Sequence, residues 1–395
     1  MKALIAGGGI GGLATAIALR LRGWEIFVLE QAPELSEVGA GLQISPNGWR
    51  VLEALGVAPH LQATLFEPEA IEMRLGRSGF SVFRLPMKGY AQQRWGAPYM
   101  HIHRADLVDA LAARLRTLAP DAVMTGQSVT GYVQEGEQAG LLLKDAETLW
   151  ADIVIGADGL HSVIRRQMLG RGAPRYTGNV AWRAVVPVAA LGADAPPPSA
   201  CVWAGHNRHA VTTRLRAGTL ANFVGMVEEP EPAPEGWREE GRKADAQAAF
   251  RDWHPVIATL IDKAEVLNRW ALFDRAPLPR WHEGRVALMG DAAHPMLPSM
   301  AQGAVQALED AWILAAALAK SDTPEDGFQT YFNTRIARTS RIQKGSAANA
   351  RMFHKASALG QIGFYGPMAL GARILPGAIH ARQDWVYRYD ATTAL

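Results

Sequence analysis

Cysteine is almost absent from this chain: Cys201 is the sole example in 395 residues. A lone thiol excludes an internal disulfide and fits a reducing compartment. Charge of one sign is equally scarce, with 40 Lys and Arg against 38 Asp and Glu and a formal net charge of +2. That balance offers neither a basic groove nor an acidic tail, so no nucleic-acid partner is expected. Long apolar runs are missing too. The least charged stretch, "ASALGQIGFYGPMALGA" at 356–372, is interrupted by Gly and Pro and is short for a bilayer span. It reads as a packed helix pair or subunit interface in preference to a peripheral membrane contact. At the front, Met1-Lys2 leads straight into "ALIAGGG", too short and Gly-rich for the apolar core of a signal peptide. No membrane span, no metal site and a cytoplasmic location are the expectations. There is no internal repeat, and no low-complexity tract beyond the polar loop "EEPEPAPEGWREE" at 228–240.

What is present looks like an enzyme of two or three domains, 49% apolar and 20% charged. The most informative segment is "KALIAGGGIGGLATAIALRLRGWEIFVLEQ". "ALIA" reads as a buried strand, "IGGLATAIALRLRG" as a helix with an Ala- and Leu-lined face, Gly23 as its C-cap, and "EIFVLE" as a second buried strand. The glycines fall as Gly7-x-Gly9-x-x-Gly12. In a strand–helix–strand unit the first permits a tight turn, the second a close approach of backbone to a pyrophosphate, and the third close packing of helix on strand. Glu30, 18 residues after Gly12, stands where a carboxylate can accept both hydrogen bonds of a ribose diol. A Gly-rich turn in an unrelated α/β protein would share the glycines, but not the whole ordered set.

Beyond Glu30 the regular strand–helix repetition stops. "VGAGLQISPNG" reads as a Gly- and Pro-rich loop, "GWRVLEALG" as a short helix, and "HIHRADLVDALAARL" (101–115) as another helix, begun by Arg104. "ADIVIGAD" is a strand before a turn and helix, and "VAWRAVVPV", "ACVWAG", "RHAVTTRLR" and "TLANFVGMV" alternate like sheet strands, followed by a "DWHPVIATLIDKA" helix. "RVALM" then returns to the buried-strand pattern, and "GAVQALEDAWILAAALA" to a helix. The expected fold class is α/β: a discontinuous nucleotide-binding domain with a β-sheet cap threaded into it.

Three separated stretches, "AGGGIGGLATAIALRLRGWEIFVLE", "DIVIGADGLHSVIR" and "GRVALMGDAAHPMLPSMAQGAVQALEDA", together with "HRADL", resemble the class A flavoprotein aromatic hydroxylases. These are the single-component FAD monooxygenases of the salicylate, 3-hydroxybenzoate and 6-hydroxynicotinate hydroxylase type. The resemblance implies a Rossmann-like FAD-binding domain of the para-hydroxybenzoate hydroxylase kind, over 1–72, 98–174 and 271–345. It also implies a β-rich substrate domain over 73–97 and 175–270 and a C-terminal helical segment over 346–395. FAD is the implied cofactor and NADH or NADPH a transient co-substrate, consistent with the lack of a second GxGxxG. O2 adds to the reduced flavin, and the C4a-hydroperoxide hydroxylates a small phenolic or hydroxypyridine carboxylate. By the same resemblance FAD is held by Gly7, Gly9, Gly12, Glu30, Gln31, Arg104, Val129, Asp158, Asp291, Gly303 and Ala304. Asp291 would meet the ribityl chain, Asp158 the passing dinucleotide pyrophosphate, and the helix starting at Gly303 the pyrimidine edge of the flavin. Asp158 also suits a plain Asx cap of a following helix. The Gly-rich loop before Pro46 could let the flavin swing between two positions.

An electrophilic oxygen attacks a phenolate faster than a phenol, so a base of near-neutral pKa is wanted. "RHAVTTR" places His209, Val211 and Thr213 on one strand face. The resemblance gives His209 the deprotonating role and puts Thr213 where relatives often have Tyr. Gln43 stands where some relatives carry His, which leaves its part as a base open. Cys201, Met296 and Pro298 complete the implied substrate pocket, though Cys201 by itself reads first as a buried structural thiol. Arg183 or Arg214 could meet a substrate carboxylate, Trp182 and Trp203 could line a flat pocket or belong to the core, and His294 reads as a loop residue. The tail "ARQDWVYRYDATTAL" could close the back of the pocket or form an isologous homodimer contact. Two other functions stay open: a same-fold tailoring oxygenase, epoxidase or oxidase on another substrate, and a non-catalytic flavin-fold binding protein.

Overall fold

Two large sheets carry the fold, and the difference between them follows from which residues alternate. In the first, Lys2–Ala6, Glu25–Leu29, Ile153–Gly156 and Val286–Leu288 are short and nearly all apolar. Strands buried on both faces read that way. They form the interior of a six-stranded sheet, ordered His282–Glu283, Val286–Leu288, Ile153–Gly156, Lys2–Ala6, Glu25–Leu29, Val123–Met124. Leu4 and Ile5 are fully buried, each contributing on the order of 1.5–3 kcal/mol by leaving water. The structure, a computed structural model, describes the whole chain except residues 36–40, 171, 173, 232–239, 355–357 and 375.

Register decides where the chemistry goes. The parallel pairs run level at their ends: Ala6 lies opposite both Leu29 and Gly156, and Gly156 opposite Leu288. The next residues in chain order are the Gly7 turn, Glu30, the Asp158 turn and the Asp291 turn. All four motifs therefore share the carboxyl edge of one sheet, where open α/β folds bind ligands. Helices Ile10–Arg20, Arg104–Leu118 and Gly303–Lys320 pack together beside this sheet.

The second sheet has seven strands, ordered Asn268–Asp274, Arg175–Pro187, Leu220–Glu228, Arg208–Leu215, Ala200–Gly205, Ala70–Leu75, Ser81–Pro86. Its neighbours are antiparallel except Ala200–Gly205 with Ala70–Leu75. One face buries Trp182, Cys201, Trp203 and Phe223 against Phe250, Trp253 and Ile257, which lie in and beside helices Lys243–Ala249 and Pro255–Lys263. The other face carries His209, Val211 and Val224 and looks into a cleft. Period-2 alternation alone makes this division.

Several sequence expectations shift. Gly41–Ile44, expected as loop, is a strand paired with Met100–His103, and the following helix begins at Pro46 with Pro at its first position. His101–His103 belongs to that partner strand, and the helix starts at Arg104 as expected. The ribbon went unread because it is too short to show a period of its own. Residues 38–40 of the Gly-rich loop and 232–239 of the polar loop lie outside the described residues. Of the low-charge stretch, Ala358–Ile374 is helix, and among the described residues no helix is long and apolar enough to cross a membrane.

Candidate active site

A cavity of about 1450 Å³ runs from the carboxyl edge of the parallel sheet to the open face of the seven-stranded sheet. At the first end, space explains the glycines. Gly7 has φ +108°, and a Cβ there would stand 2.4 Å from the carbonyl oxygen of Ala157. A Cβ on Gly12 would lie 1.9 Å from the Gly7 carbonyl oxygen. Gly9 differs: a Cβ there would meet nothing within 4 Å, because it would project into the cavity that a cofactor would fill. Gly9 is also the N-cap of Ile10–Arg20, with no side-chain cap and no acid in the first turn. The helix thus presents bare N–H groups and positive dipole to the cleft, a fit for a pyrophosphate.

The acids around this turn are oriented. Glu30 accepts from Gly8 N–H at 2.8 Å and from Ala32 N–H at 2.9 Å, one on each oxygen, leaving further lone pairs for a diol. Gln31 and Val129 line the same end. Asp158 caps the helix Val163–Leu169, its Oδ2 accepting from Val163 and Ile164 N–H at 2.8 and 3.2 Å. The Asx-cap reading is thus realised, yet Oδ1 is buried without a partner among the described residues, and Asp158 lines the cleft as well. Desolvation raises its carboxyl, against hydrogen bonds from Ser162 and the helix N–H groups. One orphaned oxygen beside a glycine cradle is what a missing hydroxyl or phosphate-bound partner leaves behind.

Asp291 opens into the cleft after Val286–Leu288. Desolvation by the surrounding protein raises its carboxyl, opposed chiefly by the Arg104 guanidinium and also by His294 and Arg165. Arg165 donates to the Asp291 and Ala292 carbonyls at 3.2 and 3.1 Å, fixing the turn. Behind it stands a buried charge cluster. Asp310 accepts from Gly290 N–H at 2.9 Å and pairs with His294 at 2.5 Å and Arg335 at 2.7 Å. Glu309 pairs with Arg335 at 2.5 Å and Arg338 at 2.8 Å. Burial opposes the Asp310 charge, but His294 and Arg335 outweigh it and hold the carboxyl far below its usual range. Gly303 and Ala304 begin the helix Gly303–Lys320 on the cleft, again with no side-chain cap, and Pro295, Met296 and Pro298 form the adjoining wall. The residues present therefore fit FAD.

At the far end the walls turn apolar. Met73, Phe83, Val202, Val211, Val224 and Met226 line the cleft, and His209 is the basic group among them. It is 1% exposed. Its Nδ1 lies 2.6 Å from His354 Nε2, and its Nε2 is buried without a partner among the described residues. Gln43 lines the cleft and accepts the Tyr99 hydroxyl; an amide holds no basic nitrogen, so it can orient but not take a proton.

Two expectations, the pocket places of Cys201 and Thr213, need correcting, and two open choices are decided. Cys201 does not reach the cleft: one residue out of phase with Val202, it points into the Trp-rich core and is fully buried. Trp182 and Trp203 share that core. Thr213 is on the His209 face but stands behind Asn222, which lines the cleft and donates to Thr213 Oγ1 at 3.2 Å. Arg214 donates to the Pro196 carbonyl at 3.0 and 2.7 Å, away from the cleft, whereas Arg183 lines it with its guanidinium over the Trp270 ring. In the tail, Trp385, Val386 and Tyr387 line the cleft and so close its back.

Sequence reasoning missed Tyr99, Asn222, Arg165 and the Glu309–Asp310 pair. The pair carried a signal, two adjacent acids inside an otherwise apolar helix; His354, 145 residues from its partner His209, carried none.

Comparison with known proteins agrees with this geometry. Residues 1–346 match the FAD binding domain family. The chain is 38% identical over 355 residues to a 3-amino-4-hydroxybenzoate 2-monooxygenase of Streptomyces cremeus, covering 90% of this chain and 88% of that protein. It is 37% identical over 356 residues to a 3-hydroxybenzoate 6-hydroxylase of Polaromonas naphthalenivorans, covering 90% and 88%. The crystal structure of Klebsiella pneumoniae HpxO complexed with FAD and uric acid superposes with a TM-score of 0.84 at 27% identity, covering 95% of each chain. The α/β fold with its parallel-sheet nucleotide domain is the fold of these flavin hydroxylases, and this chain belongs to the FAD binding domain family as an FAD-dependent aromatic monooxygenase.

Proposed function

We propose that the enzyme hydroxylates a small phenolic or hydroxypyridine carboxylate with NAD(P)H and O2, and that His209 takes the ring hydroxyl proton. One observation carries the reading: a basic ring nitrogen, His209 Nε2, buried in an apolar cleft wall without a partner among the described residues. A buried polar atom left bare costs about 1–3 kcal/mol, and a substrate hydroxyl would satisfy it. Relatives named for hydroxybenzoate substrates support the class of ring.

FAD, once bound, would supply the redox chemistry, taking a hydride from NAD(P)H and turning O2 into an electrophilic oxygen donor. The protein's part is placement. Gly7, Gly9 and the following helix N-terminus would hold the pyrophosphate, Glu30 a ribose, and Asp291 with Arg104 the chain between phosphate and ring. Gly303 and Ala304 N–H groups would meet the electron-rich edge of the isoalloxazine, where negative charge gathers on reduction. The aliphatic and aromatic walls exclude water and hold the substrate ring flat, and Gln43 and Tyr99 orient it. A cytoplasmic place, supported by the lone buried thiol, belongs to this reading.

The test is spectral and kinetic. Purified protein should be yellow, and its NADH or NADPH oxidation should rise at least about 10-fold with one member of a panel of hydroxybenzoates, aminohydroxybenzoates and 6-hydroxynicotinate, giving a product heavier by one oxygen. Yellow protein that responds to none of them would move the substrate to another chemical class.

A further inference from the structure

The residues behind His209 form a continuous path to the surface. His209 Nδ1 lies 2.6 Å from His354 Nε2, and His354 Nδ1 lies 2.7 Å from Glu228 Oε1. The His354 side chain is 5% exposed and that of Glu228 44% exposed. Three segments supply the path: the strand Arg208–Leu215, the residue ending the helix Pro324–Phe353, and the last residue of the strand Leu220–Glu228.

The end of the chain dictates the protons along it. An ionised carboxylate only accepts, so His354 Nδ1 carries a hydrogen. The neutral His354 ring then has a bare Nε2, which accepts, so His209 Nδ1 carries a hydrogen. That leaves His209 Nε2 bare, and Nε2 is the nitrogen without a partner in the cleft wall. A surface carboxylate thus selects the tautomer in which the buried ring presents a lone pair.

We propose that His209, His354 and Glu228 form a proton relay, in which His354 and Glu228 are positioning residues that carry the substrate's hydroxyl proton out to solvent. The inference rests on the reading that His209 meets a ring hydroxyl. The substrate O–H bond breaks and its proton joins His209 Nε2; the Nδ1 proton of His209 passes to His354 Nε2; the Nδ1 proton of His354 passes to Glu228 Oε1 and then to water. Both rings end neutral in their other tautomer, the substrate is a phenolate, and no electron has moved. Reverse passage restores the rings.

The relay answers a physical difficulty. Burial, with His354 beside it, pushes the His209 ring well below its ordinary pKa, so a His209 that had to keep the proton would be a feeble base. Handing it on removes that burden. The charged group acting on His354 is Glu228, which opposes the effect of burial on that ring. The aromatic neighbour of His209 on the other side is Phe353, its ring centroid 5.1 Å away.

FAD-loaded protein without nicotinamide is mixed rapidly at pH 7 with 3-hydroxybenzoate, whose phenol ionises near the phenolic value of about 10 in water. Phenolate is read by its near-ultraviolet absorbance. Wild type should show bound phenolate. Glu228→Gln and His354→Asn should bind the ligand within about 3-fold of wild type yet form phenolate at least 10-fold more slowly. Added formate should restore much of the rate to Glu228→Ala. Phenolate formation lost in His209→Asn but unchanged in Glu228→Gln and His354→Asn would overturn the relay and leave His209 as the base. Absence of any phenolate in wild type would overturn both. Flavin spectra and melting curves confirm folding of each variant.

Discussion

Among single residues, the two helix-start glycines separate binding from folding. Gly9 has ordinary backbone angles, φ −76° and ψ −174°, and open space at its Cβ position. Gly9→Ala should leave apoprotein stability within about 1 kcal/mol and weaken FAD retention at least 10-fold. Gly12→Ala drives a methyl into the Gly7 carbonyl and should cost about 3 kcal/mol or more. Melting of apoprotein alongside FAD titration distinguishes them. Cys201 makes a complementary case. Burial raises its thiol, Glu72 adding to the effect and Arg74 opposing it. Its alkylation by iodoacetamide should require unfolding, and Cys201→Ser should lower the melting temperature while leaving substrate affinity within 2-fold. The glycine fingerprint was legible in the sequence because backbone geometry admits few residues there. The resemblance put Cys201 in the pocket while the residue itself also read as a buried thiol; the second reading holds, because a strand's two faces differ by one step of register.

Secondary-structure elements carry the next layer. The helix Gly303–Lys320 begins at the cleft and, two turns later, supplies Glu309 and Asp310 to a cluster with His294, Arg335 and Arg338. Asp310 thereby ties the Gly290 turn, and with it Asp291, to the long helix Pro324–Phe353. Asp310→Ala leaves a buried guanidinium with one fewer partner and frees that turn. It should cost about 3–5 kcal/mol and loosen FAD far more than the conservative Asp310→Asn, a comparison made by urea unfolding and flavin fluorescence. The strand–turn–helix containing these residues was legible from its apolar runs. The cluster was not, since its cations come from a different helix and charge pairing leaves no periodic trace. The ribbon of Gly41–Ile44 with Met100–His103 escaped for a related reason: each strand has four residues, and the pairing that makes them strands is non-local.

For the molecule as a whole, buried imidazoles predict acid sensitivity. Burial pulls the His101 ring down to about 3, against a weak opposing bond to the Arg214 carbonyl, and His103, His209 and His354 shift the same way. The unfolded chain protonates these rings near 6.5 and the folded chain does not. Stability is therefore full above about pH 6.5 and falls as pH drops toward 3, by up to about 4 kcal/mol for His101 alone. Urea unfolding at pH 7 and pH 4.5 should show the loss, and His101→Asn should reduce it by at least about 1 kcal/mol; equal losses in both proteins would exclude His101 as its source.

The two-sided sheet has a consequence for how such an enzyme can change its diet. Val202, Val211, Val224 and Met226 touch the cleft, while Cys201, Trp203, Thr212 and Phe223 on the same strands are fully buried. Selectivity and solubility are thus written on alternate letters of one text. A library confined to the first set should yield mostly soluble, yellow proteins with altered substrate range, and an equally diverse library on the second should yield mostly aggregates.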